Sequence, residues 1–219
     1  GKPINGVSTG YRWFVPGDEG WASSAASVLN ASVATLAGPE RWNHAWGGSM
    51  AVRRDKLAEI RLVEHWTGAL SDDYQMTRAV RQAGLRVYFV ARSVVASPVK
   101  FDWRSLLRFG RRQYVITRLY SPGIWLVALG GLSLYVGSWL TALAALGMGN
   151  LAAAAPMALV YLFDFQRART RRAAVRLAFD ESVTDHLRRA FALERWATPL
   201  WMALHLAIVL SSAIGRRIE

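Results

Sequence analysis

SPGIWLVALGGLSLYVGSWLTALAALGMGNLAAAAPMALVYLF, residues 121–163, is a run of 43 residues without one charged side chain. A helix that crosses the hydrocarbon of a bilayer needs about 20 consecutive apolar residues. The run is therefore long enough for two crossings, and Gly147-Met148-Gly149-Asn150 supplies a turn between them. The spacing predicts transmembrane helices over about 122–146 and 147–163. Core helices of a soluble domain this small would not go so far without a charge.

Outward from this run, the chain changes character on both sides. Asp164 ends the apolar stretch, and 164–196 forms a basic loop carrying Arg167, Arg169, Arg171, Arg172, Arg176, Arg188, Arg189 and Arg195. A third apolar run, about 197–214, holds only His205 as a possible charge. Trp196 and Trp201 stand near its start, where aromatic rings favour the headgroup level. Basic loops stay on the cytoplasmic side, which places both 164–196 and the region before residue 121 there. Arg216 and Arg217 weigh mildly against carrying the tail across. The expectation is a multi-pass integral membrane protein with about three transmembrane helices in 121–219, its N-terminal part cytoplasmic, in a bacterial inner membrane.

Residues 1–120 instead mix acidic, basic, glycine and aromatic residues as a folded aqueous domain does. Gly6 to Phe14 reads as a strand. Trp21 to Leu36 is uncharged, apolar at helical spacing and stopped by Gly38-Pro39, which predicts a buried or interfacial helix. Asp72 or Asp73 opens a helix through about Ala83, Gly84 caps it, and Leu85 to Ala91 follows as a strand. The fold class is α/β followed by α-helical membrane segments.

Composition narrows the function. The hydrophobic fraction of 53% excludes an ordinary soluble globule. The net charge of +12 arises from 27 basic against 15 acidic residues, all but Lys2, Lys56 and Lys100 being Arg, so phosphate is an obvious partner. Nucleic acid is not, because the arginines cluster beside membrane spans and form no separate basic face. The absence of Cys excludes a disulfide framework, a zinc ribbon and a cysteine nucleophile. No signal peptide follows Gly1.

Three segments could carry chemistry. Trp46-Gly47-Gly48-Ser49 lets a backbone approach a ligand, with a hydroxyl beside it, or is a plain turn. Ser71-Asp72-Asp73 at a helix start is either a cap or a pair of carboxylates that shift each other's pKa, leaving one able to accept a proton. Arg104, Arg108, Arg111, Arg112 and Arg118, with Leu, Phe and Tyr114 between them, suit a helix on an anionic membrane surface, or guanidinium forks reaching a diphosphate. His44, His65, His186 and His205 are scattered, and no metal cluster emerges.

In order, these segments resemble the C-terminal part of a membrane-bound family 2-type glycosyltransferase, closest to the ceramide glucosyltransferase-like branch. The resemblance covers roughly residues 6–125: Gly-Tyr-Arg-Trp at 10–13, the Gly-Gly-Ser loop followed by Arg53-Arg54-Asp55, Asp72-Asp73-Tyr74, and Arg111-Arg112-Gln113-Tyr114 just before the first span. It implies part of a GT-A nucleotide-diphospho-sugar transferase fold over 1–120. It makes Asp73 the general base with Asp72 beside it, and places Trp46, Gly47, Gly48 and Ser49 at the donor and acceptor site. It also sets Arg111, Arg112, Gln113 and Tyr114 over the donor diphosphate. There the family has Gln/Arg-x-x-Arg-Trp, against Gly110, Gln113 and Tyr114 in this chain; Arg118 also falls where relatives are basic.

The implied reaction is inverting transfer from a UDP-sugar to a lipid hydroxyl. A divalent metal, Mg or Mn, would be held by an Asp-x-Asp that these residues do not contain. The metal ligands are thus expected outside this chain, which reads as a C-terminal fragment unable to turn over alone. A processive polysaccharide synthase and a non-catalytic membrane scaffold are the alternatives.

Overall fold

The computed structural model describes residues 5–38 and 42–215. β1 (Asn5–Pro16) is the centre of a three-stranded sheet of order β2-β1-β3. Its antiparallel neighbour β2 (Met50–Val52) pairs Val7 with Val52, Ser8 with Ala51 and Thr9 with Met50. On the other side, β3 (Arg86–Val99) follows β1 in the same direction: Gly6 lies against Leu85, Gly10 against Ser93, and the Gly17 N–H donates to the Val99 carbonyl at 2.8 Å. Parallel neighbours need a long crossover. Between these strands the chain forms α1 (Trp21–Ala34), α2 (Arg54–Glu59), α3 (Leu62–Trp66) and α4 (Asp72–Gln82). Gly10 is required where the strands meet, since a Cβ there would overlap the Ser93 carbonyl.

The chain divides into two compact units, one of residues up to Phe14 with Asn30–Pro98, the other of Val15–Leu29 with Val99 onward. The core of the first joins Val7 of β1, Val87 of β3, Ile60 and Leu62 around α3, and Met76, Ala79 and Val80 of α4. α4 begins where the sequence places it, with Ser71 accepting from the Tyr74 N–H, and ends before Gly84 at φ +70°. β3 runs well past Ala91, into a Ser- and Pro-containing stretch with little strand character. The first turns of α1 are buried on all sides, which small side chains permit: Ala22, Ala25 and Ala26 with Ser23, Ser24 and Ser27.

In the second unit, α5 (Trp103–Tyr120) opens on a reciprocal cap between Asp102 and Ser105 and leads through Ser121 into α6 (Pro122–Gly147). Gly149, at φ +84°, turns the chain, and after one turn of 3-10 helix α7 (Ala154–Ala178) runs back. α8 (Glu181–His186), α9 (Arg188–Trp196) and α10 (Thr198–Ser211) follow. The change from apolar to basic sequence at Asp164 is no helix boundary. Ala, Leu and Arg all favour helix, so α7 continues through it.

α6 is the one helix among the described residues long and apolar enough to cross a membrane. Its Leu126, Val127, Leu134 and Leu140 are all more than half exposed, a surface that water penalises and hydrocarbon does not. The apolar part of α7 is shorter, and α10 has only 14 residues. Tyr135 of α6 donates to the Asp164 carboxylate of α7, and Arg171 of α7 pairs with Glu194 of α9, both partners of the latter being buried. α10 packs on α6 through Val209 against Trp125 and Leu132, and the Trp125 indole N–H donates to the Ser212 hydroxyl at 2.8 Å.

Candidate active site

In the first unit the two motifs that are 25 residues apart in sequence meet. The first turn of α4 carries Asp72 and Asp73, and the tight turn Trp46-Gly47-Gly48-Ser49, closed by Ser49 N–H to the Trp46 carbonyl at 3.0 Å, lies against them. A Cβ on Gly47 would overlap Asp73 Oδ1 and come within 3.3 Å of Asp72 Oδ2. Glycine is therefore what lets the turn reach the carboxylates. Gly48 is open, its nearest neighbour being Arg12 Cδ at 3.5 Å from such a Cβ.

Two buried threonines hold the parts in place. The Thr9 hydroxyl accepts from the Trp46 N–H at 3.0 Å and also lies 3.2 Å from the Ser49 carbonyl, which takes the Gly10 N–H at 2.8 Å. The Thr77 hydroxyl donates to the Asp73 carbonyl and accepts from the Ala45 N–H, both at 2.9 Å, so α4 is tied to the segment entering the turn. The Trp46 ring stands edge-on to Tyr11 with centroids 4.6 Å apart, which brings the Gly-Tyr-Arg-Trp strand to the same place. Ser49 donates to the Ser93 carbonyl at 3.1 Å and so braces the turn against β3. Thr9 and Thr77 were not singled out in the sequence: isolated threonines carry no pattern.

The two carboxylates differ. Asp72 is exposed and caps its own neighbour, accepting from the Asp73 N–H at 3.0 Å. Asp73 is pushed up to about 6, first by burial and further by the Asp72 charge and carboxyl beside it, while the Gly47 amide pulls it partly back. Its Oδ1 is buried without a hydrogen-bond partner. A group titrating near neutrality with an unfilled acceptor position is suited to take a proton. Nearby His44, held down to about 4 by burial and by the Arg81 charge, stays neutral.

The basic segment belongs to the second unit. Arg111 donates to the Ser211 carbonyl at 3.1 Å and to Ile214 at 3.0 Å, and Arg118 donates to the Ala213 and Gly215 carbonyls. Both guanidiniums thus occupy the C-terminal end of α10, where carbonyls carry the negative end of the helix dipole. Tyr114 hydrogen-bonds the His205 ring, and Arg112 and Gln113 are exposed. Among the described residues no three His, Asp or Glu side chains come together as metal ligands. Asp72 and Asp73 alone are too few for a metal site.

The model of glycosyl transferase family 21 matches residues 25–204, which takes in the Gly-Gly turn, Asp73, the basic helix and most of the helical region. The chain belongs to this family. It is accordingly a glycosyltransferase, and its substrates are a nucleotide-sugar donor and an acceptor. The family 2-type resemblance narrows to family 21, and the mixed α/β unit with its small sheet is consistent with part of a GT-A-like fold. No curated protein and no solved structure matches the chain.

Proposed function

We propose that this family 21 glycosyltransferase transfers a sugar with inversion from a UDP-sugar to a lipid hydroxyl, as a glucosylceramide synthase does, with Asp73 as general base. The supporting observation is the Asp73 carboxyl: buried, raised toward neutrality, unfilled at Oδ1 and pressed against Gly47. An acceptor hydroxyl donates to the Asp73 carboxylate and gives up its proton there as its oxygen forms the bond to the anomeric carbon. The bond from that carbon to the donor diphosphate breaks, and its electron pair leaves on the diphosphate oxygen. Attack from the face opposite the leaving group inverts the anomeric centre.

The exposed Gly47-Gly48 backbone and the Trp46 ring form the wall along which the acceptor and donor sugar lie. On the basic helix Arg112, like Arg104 and Arg108, is exposed and carries charge available to phosphate, whereas Arg111 is engaged with carbonyls. A divalent metal bound by residues beyond Asp72 and Asp73 would offset the diphosphate charge. In this reading the chain is a multi-pass protein of a bacterial inner membrane, its first unit on the cytoplasmic side and its lipid acceptor delivered from the bilayer. Asp73→Asn in the full-length enzyme is expected to abolish transfer while donor binding, read by calorimetry, stays nearly unchanged. Substantial retained transfer would remove Asp73 from the base role.

A further inference from the structure

Outside the catalytic residues, α7, α8 and α9 enclose a cavity of about 420 Å³ lined by Arg172, Arg176, Arg188, Glu181, Asp185 and Phe191 among others. We propose that it binds a singly charged phosphate ester, presented by a lipid headgroup or free in solution.

The charge arrangement calls for such a ligand. Arg188 is answered by Asp185 at 3.6 Å. Arg172 and Arg176, one helical turn apart on the same face of α7, have no acidic partner among the described residues. Like charges at that spacing repel. The Arg172 guanidinium lies over the Phe191 ring, 5.5 Å from its centroid, and its Nε is buried with no hydrogen-bond partner. An anion between the two guanidiniums removes the repulsion through charge-assisted hydrogen bonds. Three arginines against Glu181 and Asp185 leave one positive charge, which suits a phosphodiester better than a di- or triphosphate.

The height of the cavity points to the lipid source. The Tyr135–Asp164 hydrogen bond sets α6 and α7 side by side in opposite directions. Counted at 1.5 Å per residue, Arg172 and Arg176 lie about 12 and 18 Å beyond Asp164, level with the first turns of α6 after Pro122. A bilayer crossed by α6 has its headgroups at that level. The lipid source rests on the membrane reading of α6; the phosphate chemistry does not.

The test is thermal unfolding of the full-length protein in detergent with added dioctanoyl phosphatidylglycerol, dioctanoylglycerol or inorganic phosphate. Arg172→Gln/Arg176→Gln is compared with wild type and with Arg169→Gln, an exposed arginine elsewhere on α7. A saturable rise in melting temperature with phosphatidylglycerol, kept in R169Q and weakened roughly tenfold or more in half-saturation by the double substitution, supports the site. An equal rise with inorganic phosphate supports it with a free ligand. No rise in wild type, an equal rise with dioctanoylglycerol, or an undiminished response in the double variant overturns it. Should the double variant unfold on its own, Arg172→Lys/Arg176→Lys keeps the charge while losing the planar fork, and an undiminished response there overturns the guanidinium assignment. Asp73→Asn is expected to leave the response unchanged, which separates this site from the catalytic one.

Discussion

At the scale of single residues, the difference between Asp72 and Asp73 is one of surroundings, since the side chains are identical. Deprotonated Asp73 is the working base, so kcat/KM is expected to fall about tenfold per pH unit below its pKa of about 6 and to level off above it. The same shift has a stability consequence of opposite sense. The folded chain holds the Asp73 proton up to about 6 and the unfolded chain only to about 3.8, so the fold loses stability as pH rises through that window. Asp73→Asn lacks this loss, and above pH 6 its melting temperature should equal or exceed that of the wild type, although transfer is gone. Gly47 and Gly48 should differ: Gly47→Ala overlaps the Asp73 carboxyl and is expected to lose activity by at least about tenfold, whereas Gly48→Ala meets only an ordinary contact 3.5 Å from Arg12 Cδ and is expected to lose less. Steady-state kinetics on both variants checks this. The carboxylate pair and the Gly-Gly turn were legible in the sequence because adjacent like residues form a visible pattern. Which of the two carboxylates is buried, and that Thr9 and Thr77 bind the parts together, depends on packing across the first unit.

At the scale of elements, the basic helix α5 shows how a sequence departure acquires a reason. Gly110 stands where the Gln/Arg-x-x-Arg-Trp motif that the sequence resembles has Gln or Arg, and a Cβ there would lie 2.8 Å from Ile208 Cγ2 of α10. A mid-helix glycine ordinarily costs about 0.5–1 kcal/mol against alanine; here it admits the close approach of a second helix. Gly110→Arg, though it restores the residue type of that motif, is expected to lower the melting temperature, and Ile208→Ala in the same chain should recover part of that loss. Helix α4 was readable from its cap and periodicity, as was the length of α6. The continuation of α7 past Asp164 was not, because a change of polarity marks where solvent changes, not where backbone hydrogen bonding stops. The extension of β3 through Ser93 and Ser97 likewise depends on β1 being there to pair with it.

At the scale of the whole molecule, the sequence offered three apolar runs and the structure gives one helix that meets the length and polarity of a crossing. The cysteine-free chain makes the topology open to direct measurement. With a single cysteine at Met148, which is 82% exposed beside the turn after α6, a membrane-impermeant maleimide applied to right-side-out vesicles should label the protein. A cysteine at the exposed Ser182 of α8 should label only after permeabilisation. Labelling of both positions from the same side would place the α6 turn back on the side it left. Apolar length alone was enough to read a helix with the length and composition of a crossing, but not how the helices around it lean on one another: that is fixed by Tyr135 with Asp164, by Trp125 with Ser212, and by the arginines of α5. The grip of Arg111 and Arg118 on the carbonyls of Ser211, Ala213, Ile214 and Gly215 also bears on handling the protein in the laboratory. An affinity tag or fluorescent reporter joined directly after this stretch would tug on the very carbonyls that anchor the basic helix, so a fusion there calls for a long, slack spacer.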